Sequence, residues 1–371
     1  MPKPEGSVDF LSPWRISGWA WDAERPATPV EVAVVLDGTV LATVVANAFR
    51  GDLKEGERTG YNAFDITFDP VHPADLRSIR CVIRELNYDL PVGTVGQRSI
   101  LKAIGASYRE RDRTAATAVS PLFITGSPRS GTTILSRSLT AVGYSGYDEG
   151  HLVNLILPIR EATNQHFLRH RAGEDGQLLS HVDKRSLYQG LLNVIAQFQN
   201  DLNPAALWMD KTPSGDMIEI IWDILDIWPN AGFIFAKRRA IENVYSRLRK
   251  FPGVSFEVHC DDWAKIMGAW RKVRDARPPA IEIDQHDVAH DALGVSEKLG
   301  AFLGLSKKNI SKIAELMLNA HPEQTSTGSA HRILSLETTG WSDLQIECFK
   351  RICGVEMEKF GYTYDESYRV S

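Results

Sequence analysis

The string Gly126-Ser-Pro-Arg-Ser-Gly-Thr-Thr133 lies between the apolar run Leu122–Thr125 and the periodic apolar stretch Ile134–Val142. Two glycines with four residues between them, set between a predicted strand and a predicted helix, form the frame of a phosphate-binding loop. Glycine lets the backbone turn sharply there, so successive N–H groups converge on an anion at the positive end of the following helix. Such a loop commits this part of the chain to an α/β fold, a P-loop-type parallel sheet flanked by helices. The downstream sequence agrees. Arg185–Leu202 and Asp216–Trp228 read as amphipathic helices, and Gly232–Ala236 as a buried strand leading to the helix Ala240–Lys250. Asp261–Arg274, Val295–Phe302 and Asp343–Phe360 complete the helices, with a further strand at Ile281–Ile283.

The region upstream has a different texture. Val30–Leu36 and Val40–Val45 flank Asp37-Gly38, which is hairpin grammar. Further β-like runs follow at Ala63–Phe68, Ser78–Glu85 and Pro91–Val95. The expectation is a small all-β, sandwich-like domain over residues 1–104, a linker at 105–120 rich in charge, Ala, Ser and Thr, and the α/β domain over 121–371. Trp14, Trp19 and Trp21 read first as sandwich core, with stacking on sugar faces as the alternative.

A chain of 371 residues accommodates these two domains, and 43% hydrophobic with 24% charged residues is ordinary for a globular protein. The net charge of −5 argues against a general nucleic-acid binder. The best apolar run, Ile218–Trp228, is interrupted by Glu219, Asp223 and Asp226, so no membrane span is expected. The amino terminus lacks a basic segment followed by an apolar one, which makes a cytoplasmic location the expectation. The four cysteines show no metal-ligand spacing.

Thr132 stands where the loop lysine of a kinase or ATPase would be, and the loop's cation is Arg129. Phosphoryl-transfer enzymes hold Mg²⁺ with a loop hydroxyl and a strand-end aspartate. Here the strand Gly232–Ala236 runs instead into Lys237, Arg238 and Arg239, which repel Mg²⁺ and attract a second phosphate. A donor with phosphates at two positions, bound without a metal, fits both basic stations.

On these residues the carboxy-terminal two-thirds of the chain resembles the sulfotransferases that use 3′-phosphoadenosine-5′-phosphosulfate (PAPS). Pro128–Thr133 reproduces the PRSGTT loop of their Golgi-type and bacterial branch. The second motif of that family, an arginine after an apolar strand and a serine eight positions on, is matched by Arg238 and Ser246. Asp262–Arg271 is similar to the tryptophan-bearing helix that follows, and Ile281–Leu305 to the strand-to-helix stretch ending in Phe-Leu-Gly-Leu. The resemblance implies PAPS as donor, with 3′,5′-adenosine diphosphate (PAP) as product. It places Arg129, Ser130, Gly131, Thr132 and Thr133 on the 5′-phosphosulfate, and Arg238 with Ser246 on the 3′-phosphate. Where the family often has an Asp after this arginine the chain has Arg239, which leaves sharing of Arg238's task with Arg239 or Lys237 as the alternative.

Sulfuryl transfer also needs a base for the acceptor's proton and a cation for the leaving oxygen. Glu149 occupies the place of the catalytic glutamate in the tyrosylprotein branch, with Asp148 and His151 as alternatives. Lys211, in a Lys-Thr-Pro turn, resembles the family lysine that stabilises the leaving group, alongside Arg129. The polar loop Ser326–Arg332 resembles loops that close over the donor. The acceptor is a hydroxyl or amine, with a glycan or glycolipid the leading class, and a homo-oligomer is compatible with the chain. An ATP-dependent small-molecule kinase and an inactive carbohydrate-binding protein on the same fold are the competing readings.

Overall fold

The computed structural model describes residues 4–12, 14–54, 58–69, 71, 75–76, 78–93, 120–170, 178–319 and 333–370. Residues 105–119 of the expected linker and the loop Ser326–Arg332 lie outside them. Chain contacts divide the molecule into two units. One comprises Met1–Asp112, Glu161–Tyr188 and Asp275–Arg277, and the other Arg113–Arg160, Gln189–Arg274 and Pro278–Ser371.

The first unit holds β1 (Pro4–Ser12), β2 (Arg15–Asp22), β3 (Glu31–Leu36), β4 (Thr39–Val45), β5 (Ala48–Phe49), β6 (Tyr61–Thr67), β7 (Ile79–Ile83) and β8 (Tyr88–Asp89). They pair antiparallel in two four-stranded sheets, β1-β2-β6-β5 and β4-β3-β7-β8. The β3–β4 turn uses Asp37 and Gly38, both at positive φ (51° and 84°), as a two-residue hairpin requires. Trp21 is buried, as a core residue should be, and the Arg58 guanidinium lies over the rings of both Trp19 and Trp21. Trp14 is half exposed.

The second unit is built on β9 (Leu122–Gly126), β10 (Ser145–Asp148), β11 (Trp208–Lys211), β12 (Gly232–Lys237) and β13 (Ala280–Asp284), all parallel in the order β10-β11-β9-β12-β13. Its helices are α1 (Thr132–Ala141), α2 (Ile156–Arg169), α3 (Lys184–Leu202), α4 (Gly215–Glu219), α5 (Ile221–Ile227), α6 (Ala240–Lys250), α7 (Phe256–Arg274), α8 (Gln285–His290), α9 (Ala292–Leu303), α10 (Lys307–Asn319) and α11 (Asp343–Lys359); α2 and α3 each extend into the first unit. The five-stranded parallel sheet flanked by helices and the antiparallel amino-terminal sheets are the fold that the sequence predicts.

The period-two alternation of strand side chains sorts the core into two layers. Leu122, Ile124, Ile234, Ala236 and Ile283 pack with α1 residues Ile134, Leu135 and Leu139. Phe123 and Phe233 point the other way and stack at 5.5 Å, with Trp208 and Trp228 against Phe123. Phe235 stacks on Trp270 of α7 at 4.3 Å. Each such fully buried side chain contributes about 1.5–3 kcal/mol. The single helix expected over Asp216–Trp228 is instead α4 and α5, broken at Ile220, and the break lets Ile218, Ile220 and Ile221 all be buried.

The carboxy-terminal segment is tied down by Arg239, whose side chain is fully buried. Its guanidinium makes a fork on the Glu242 carboxylate (Nε to Oε2, 2.9 Å) and donates to the carbonyls of Leu334, Thr363 and Asp365. Removing one partner of a buried ion pair leaves the other charge uncompensated, so Arg239→Ala should cost about 3–5 kcal/mol. Urea unfolding of the variant beside its parent measures that loss, and a change below about 1 kcal/mol would contradict a structural role for this arginine.

Candidate active site

In a parallel sheet all carboxyl ends lie on one edge, where ligands bind. Here that edge brings together Gly126, Asp148, Lys211, Lys237 and Asp284. The Gly126–Thr133 loop leaves the central strand. Gly126 has φ of 142°, and a Cβ on it would meet the Ala236 carbonyl oxygen at 2.1 Å, so only glycine permits this approach of two backbones. Arg129 and Gly131 also take positive φ (73° and 84°), curling the loop around the start of α1. No side chain caps α1, and no acidic residue lies in its first turn. The first N–H groups of a helix need acceptors, and the helix dipole favours anionic ones.

Asn243 of α6 clasps the loop. Its Nδ2 donates to the Pro128 carbonyl at 2.9 Å and to Ser130 Oγ at 3.1 Å, and its Oδ1 accepts from Ser127 Oγ at 3.3 Å. The sequence reading missed this residue. Its signal was its place three residues before Ser246, on the same face of a helix.

One basic station forms beside the clasp. Arg238 Nη1 donates to the Arg129 carbonyl at 3.1 Å, and Arg129 Nε donates to Ser246 Oγ at 3.1 Å. The Arg238 carbonyl accepts from Trp263 Nε1 at 3.0 Å, which fixes the turn after β12. Arg238 Nε is buried with no hydrogen-bond partner, and burial lowers the guanidinium from its ordinary pKa. Its neighbours are engaged elsewhere: Lys237 Nζ binds Glu282 at 2.6 Å and Arg239 is in the carboxy-terminal anchor. The sharing of Arg238's task with Lys237 or Arg239 is therefore corrected. Arg129 also differs from its expected setting on the 5′ loop alone, since its side chain reaches Ser246.

The second station lies across the loop. Lys211 is buried at the end of β11, with Nζ 3.7 Å from Asp148 Oδ1 and 3.6 Å from Glu149 Oε1. Glu149 Oε2 is 3.7 Å from His151 Nε2, and about half of the Glu149 side chain is exposed. Asp148 Oδ1 accepts from Ser136 Oγ of α1 at 2.9 Å. The expected residues Glu149, Lys211, Asp148 and His151 come together here, while Arg129, Arg238 and Ser246 gather at the first station. Among the described residues no group of three or more His, Cys, Asp or Glu side chains is placed to hold a metal ion, and no helix is long and apolar enough to cross a membrane.

A sulfotransferase family model matches residues 121–309, and the chain belongs to that family. It is a transferase of the sulfuryl-transferring class. Among solved structures that are similar to it are two sulfotransferases. The sulfotransferase domain of the Synechococcus PCC 7002 olefin synthase is 21% identical, over 51% of this chain and 74% of that one, with a TM-score of 0.34. The sulfotransferase STF9 from Mycobacterium avium is 13% identical, over 72% and 85%, with a TM-score of 0.39. No curated protein matches the chain.

Asp210 lies under the second station, buried, with Oδ1 accepting from Thr212 Oγ1 at 2.6 Å. Burial pushes its carboxyl above the ordinary value, against the opposing pull of that hydroxyl. The folded state therefore holds this proton more tightly than the unfolded state, whose carboxyl titrates near about 3.9. Stability contributed by the group falls as pH rises through the window above that value. Asp210→Asn abolishes the titration, so its stability relative to the parent should rise between pH 4 and pH 7 in urea unfolding. A pH-independent difference would contradict the shift.

Proposed function

We propose that the protein transfers a sulfuryl group from PAPS to a hydroxyl or amine acceptor, with a glycan the first acceptor class to test. The observation that carries this reading is the pair of cationic stations on either side of an uncapped helix N-terminus. Arg238, with its buried and unpartnered Nε, fits a 3′-phosphate together with Ser246 and Arg129. The α1 N–H groups and Lys211 fit the 5′-phosphosulfate. PAPS supplies an activated sulfuryl group on a phosphate leaving group, and the chain's residues do the rest. The loop from Ser130 to Thr133 orients the donor by backbone N–H groups. Lys211 balances the charge that develops on the leaving oxygen. Glu149 takes the acceptor's proton.

Turnover of PAPS with a panel of acceptors tests the reading directly, and calorimetric titration with PAP, 5′-AMP and ATP tests the donor site. PAP should bind more tightly than 5′-AMP, which lacks the 3′-phosphate. A charge-assisted contact is worth about 1.5–3 kcal/mol, roughly one to two decades of affinity. Arg238→Ala should therefore weaken PAP by about that much while hardly changing 5′-AMP. Arg129→Ala should follow the same pattern, because its guanidinium rests on Ser246. An equal loss for 5′-AMP would move that residue to the phosphosulfate. ATP binding tighter than PAP would return the kinase reading.

Glu149→Gln keeps the side chain's shape and removes its basicity, so kcat should fall by about 10²–10⁴ with PAP affinity close to the parent's. A fully active glutamine variant beside an inactive His151→Ala would transfer the role to His151.

A further inference from the structure

The two carboxylates that share Lys211 are not equivalent. Asp148 ends β10, directly beside Lys211 in the parallel register, so the two side chains rise from the same face of the sheet. Its Oδ1 is held by the hydroxyl of Ser136, which is buried on the helix that starts at the phosphate loop. Asp148 is thereby fixed to both the sheet and the loop helix. Glu149 has no such anchor: its carboxylate contacts Lys211 and the exposed imidazole of His151, both at ion-pair rather than hydrogen-bond distance.

To take the acceptor's proton, the Glu149 carboxylate has to face the acceptor rather than Lys211, which it now contacts at 3.6 Å. Glu149 must loosen its hold on Lys211 to act as a base. Among the described residues, Asp148 would then be the acid left beside the Lys211 ammonium, which sits on a flexible four-carbon stem. We propose that Asp148, held by Ser136, is a positioning residue that keeps the Lys211 ammonium in place while Glu149 is released for catalysis. The inference rests on the reading above, in which Glu149 is the base and Lys211 faces the leaving group. In the transfer, the acceptor's proton passes to Glu149 and its oxygen or nitrogen bonds to sulfur. The bond from sulfur to the bridging oxygen breaks, and its electron pair remains on the phosphate of PAP beside Lys211.

The position of Asp148 gives the proposal a signature. Its negative charge lies close to where an anionic donor binds, so its removal should tighten PAP while slowing transfer. Asp148→Asn should lower kcat by roughly tenfold, the scale on which a misplaced catalytic group is felt. It should tighten PAP by about threefold, since the side chain is largely exposed and its repulsion partly screened. Ser136→Ala, which changes no charge, should lower kcat by about threefold and leave PAP affinity alone. In a Lys211→Met background neither substitution should change kcat further.

Measurement is by steady-state kinetics, PAP titration and urea unfolding of each variant. If Asp148→Asn fails to fold, the loss in Ser136→Ala and its disappearance in the Lys211→Met background carry the test. Parallel losses of kcat and PAP affinity in Asp148→Asn, or undiminished effects without Lys211, would overturn the positioning role. The underlying reading fails separately, through a parent that binds no PAP or a Glu149→Gln variant with full turnover, and takes this inference with it. An active parent and an inactive Glu149→Gln variant beside an unchanged Asp148→Asn sink the positioning role alone.

Discussion

The close backbone approach of Gly126 to the Ala236 carbonyl sets where the cations of the loop can be. It brings the central strand β9 and its loop against β12, so the turn after β12 can place Arg238 Nη1 on the loop carbonyl of Arg129. Asn243 and Ser246 then reach the same loop from α6, the helix that follows that turn. On the other side, Thr212 N donates to the Ile124 carbonyl at 3.1 Å, which holds the Lys211 turn to β9 by a backbone bond. Both stations therefore depend on one strand and its glycine. A Cβ at position 126 would separate β9 from β12 and with it the loop from Arg238.

Three consecutive basic residues leave β12, and the fold gives each a different task. Alternation along the chain points Lys237 to Glu282, in the layer that includes Trp270, whose Nε1 donates to the same carboxylate at 2.7 Å. Arg239, at the N-cap of α6, turns into the protein and secures Leu334, Thr363 and Asp365. Arg238 keeps a buried donor unmatched. Lys237 and Arg239 are satisfied by groups of the chain itself, whereas the unmatched Arg238 Nε has room for an acceptor from outside it.

The sequence made the centre of the sheet legible and its edge much less so. β9 and β12 are short, mostly apolar runs bounded by turn signals, and they stand within a residue of where that pattern puts them. β10 carries no such pattern, because Ser145–Asp148 is an edge strand with every residue exposed, so nothing in burial selects its composition. α1 begins at Thr132, two residues ahead of its first periodic apolar residue, Ile134. The loop was readable from its glycine spacing, and Arg238 only from the family resemblance coupled to that loop. Asn243, Ser136 and the separate fates of Lys237 and Arg239 were not, because each depends on which neighbour a side chain meets across the sheet, and that is a property of the packed structure.

The turn Glu149-Gly150-His151 shows what the edge strand is for. Glu149 and His151 both have positive φ (70° and 54°), an unusual setting that costs of order 1–3 kcal/mol for a residue other than glycine. The turn is held from below at two points. Glu149 N donates to the Lys211 carbonyl at 2.8 Å, and Gly150 lies so close to the Asp210 carboxylate that a Cβ would meet Oδ2 at 2.6 Å. The strain thus stays because β11 supplies both restraints, one from the backbone of Lys211 and one from the buried side chain of Asp210. Its effect is to bend the chain back over β11 immediately after Asp148, so that two successive carboxylates converge on one lysine. An unstrained extension of β10 would send their side chains to opposite faces. Convergence of both acids on Lys211 is what the unusual backbone accomplishes, and it is also what allows one of them to stay with the lysine while the other leaves it.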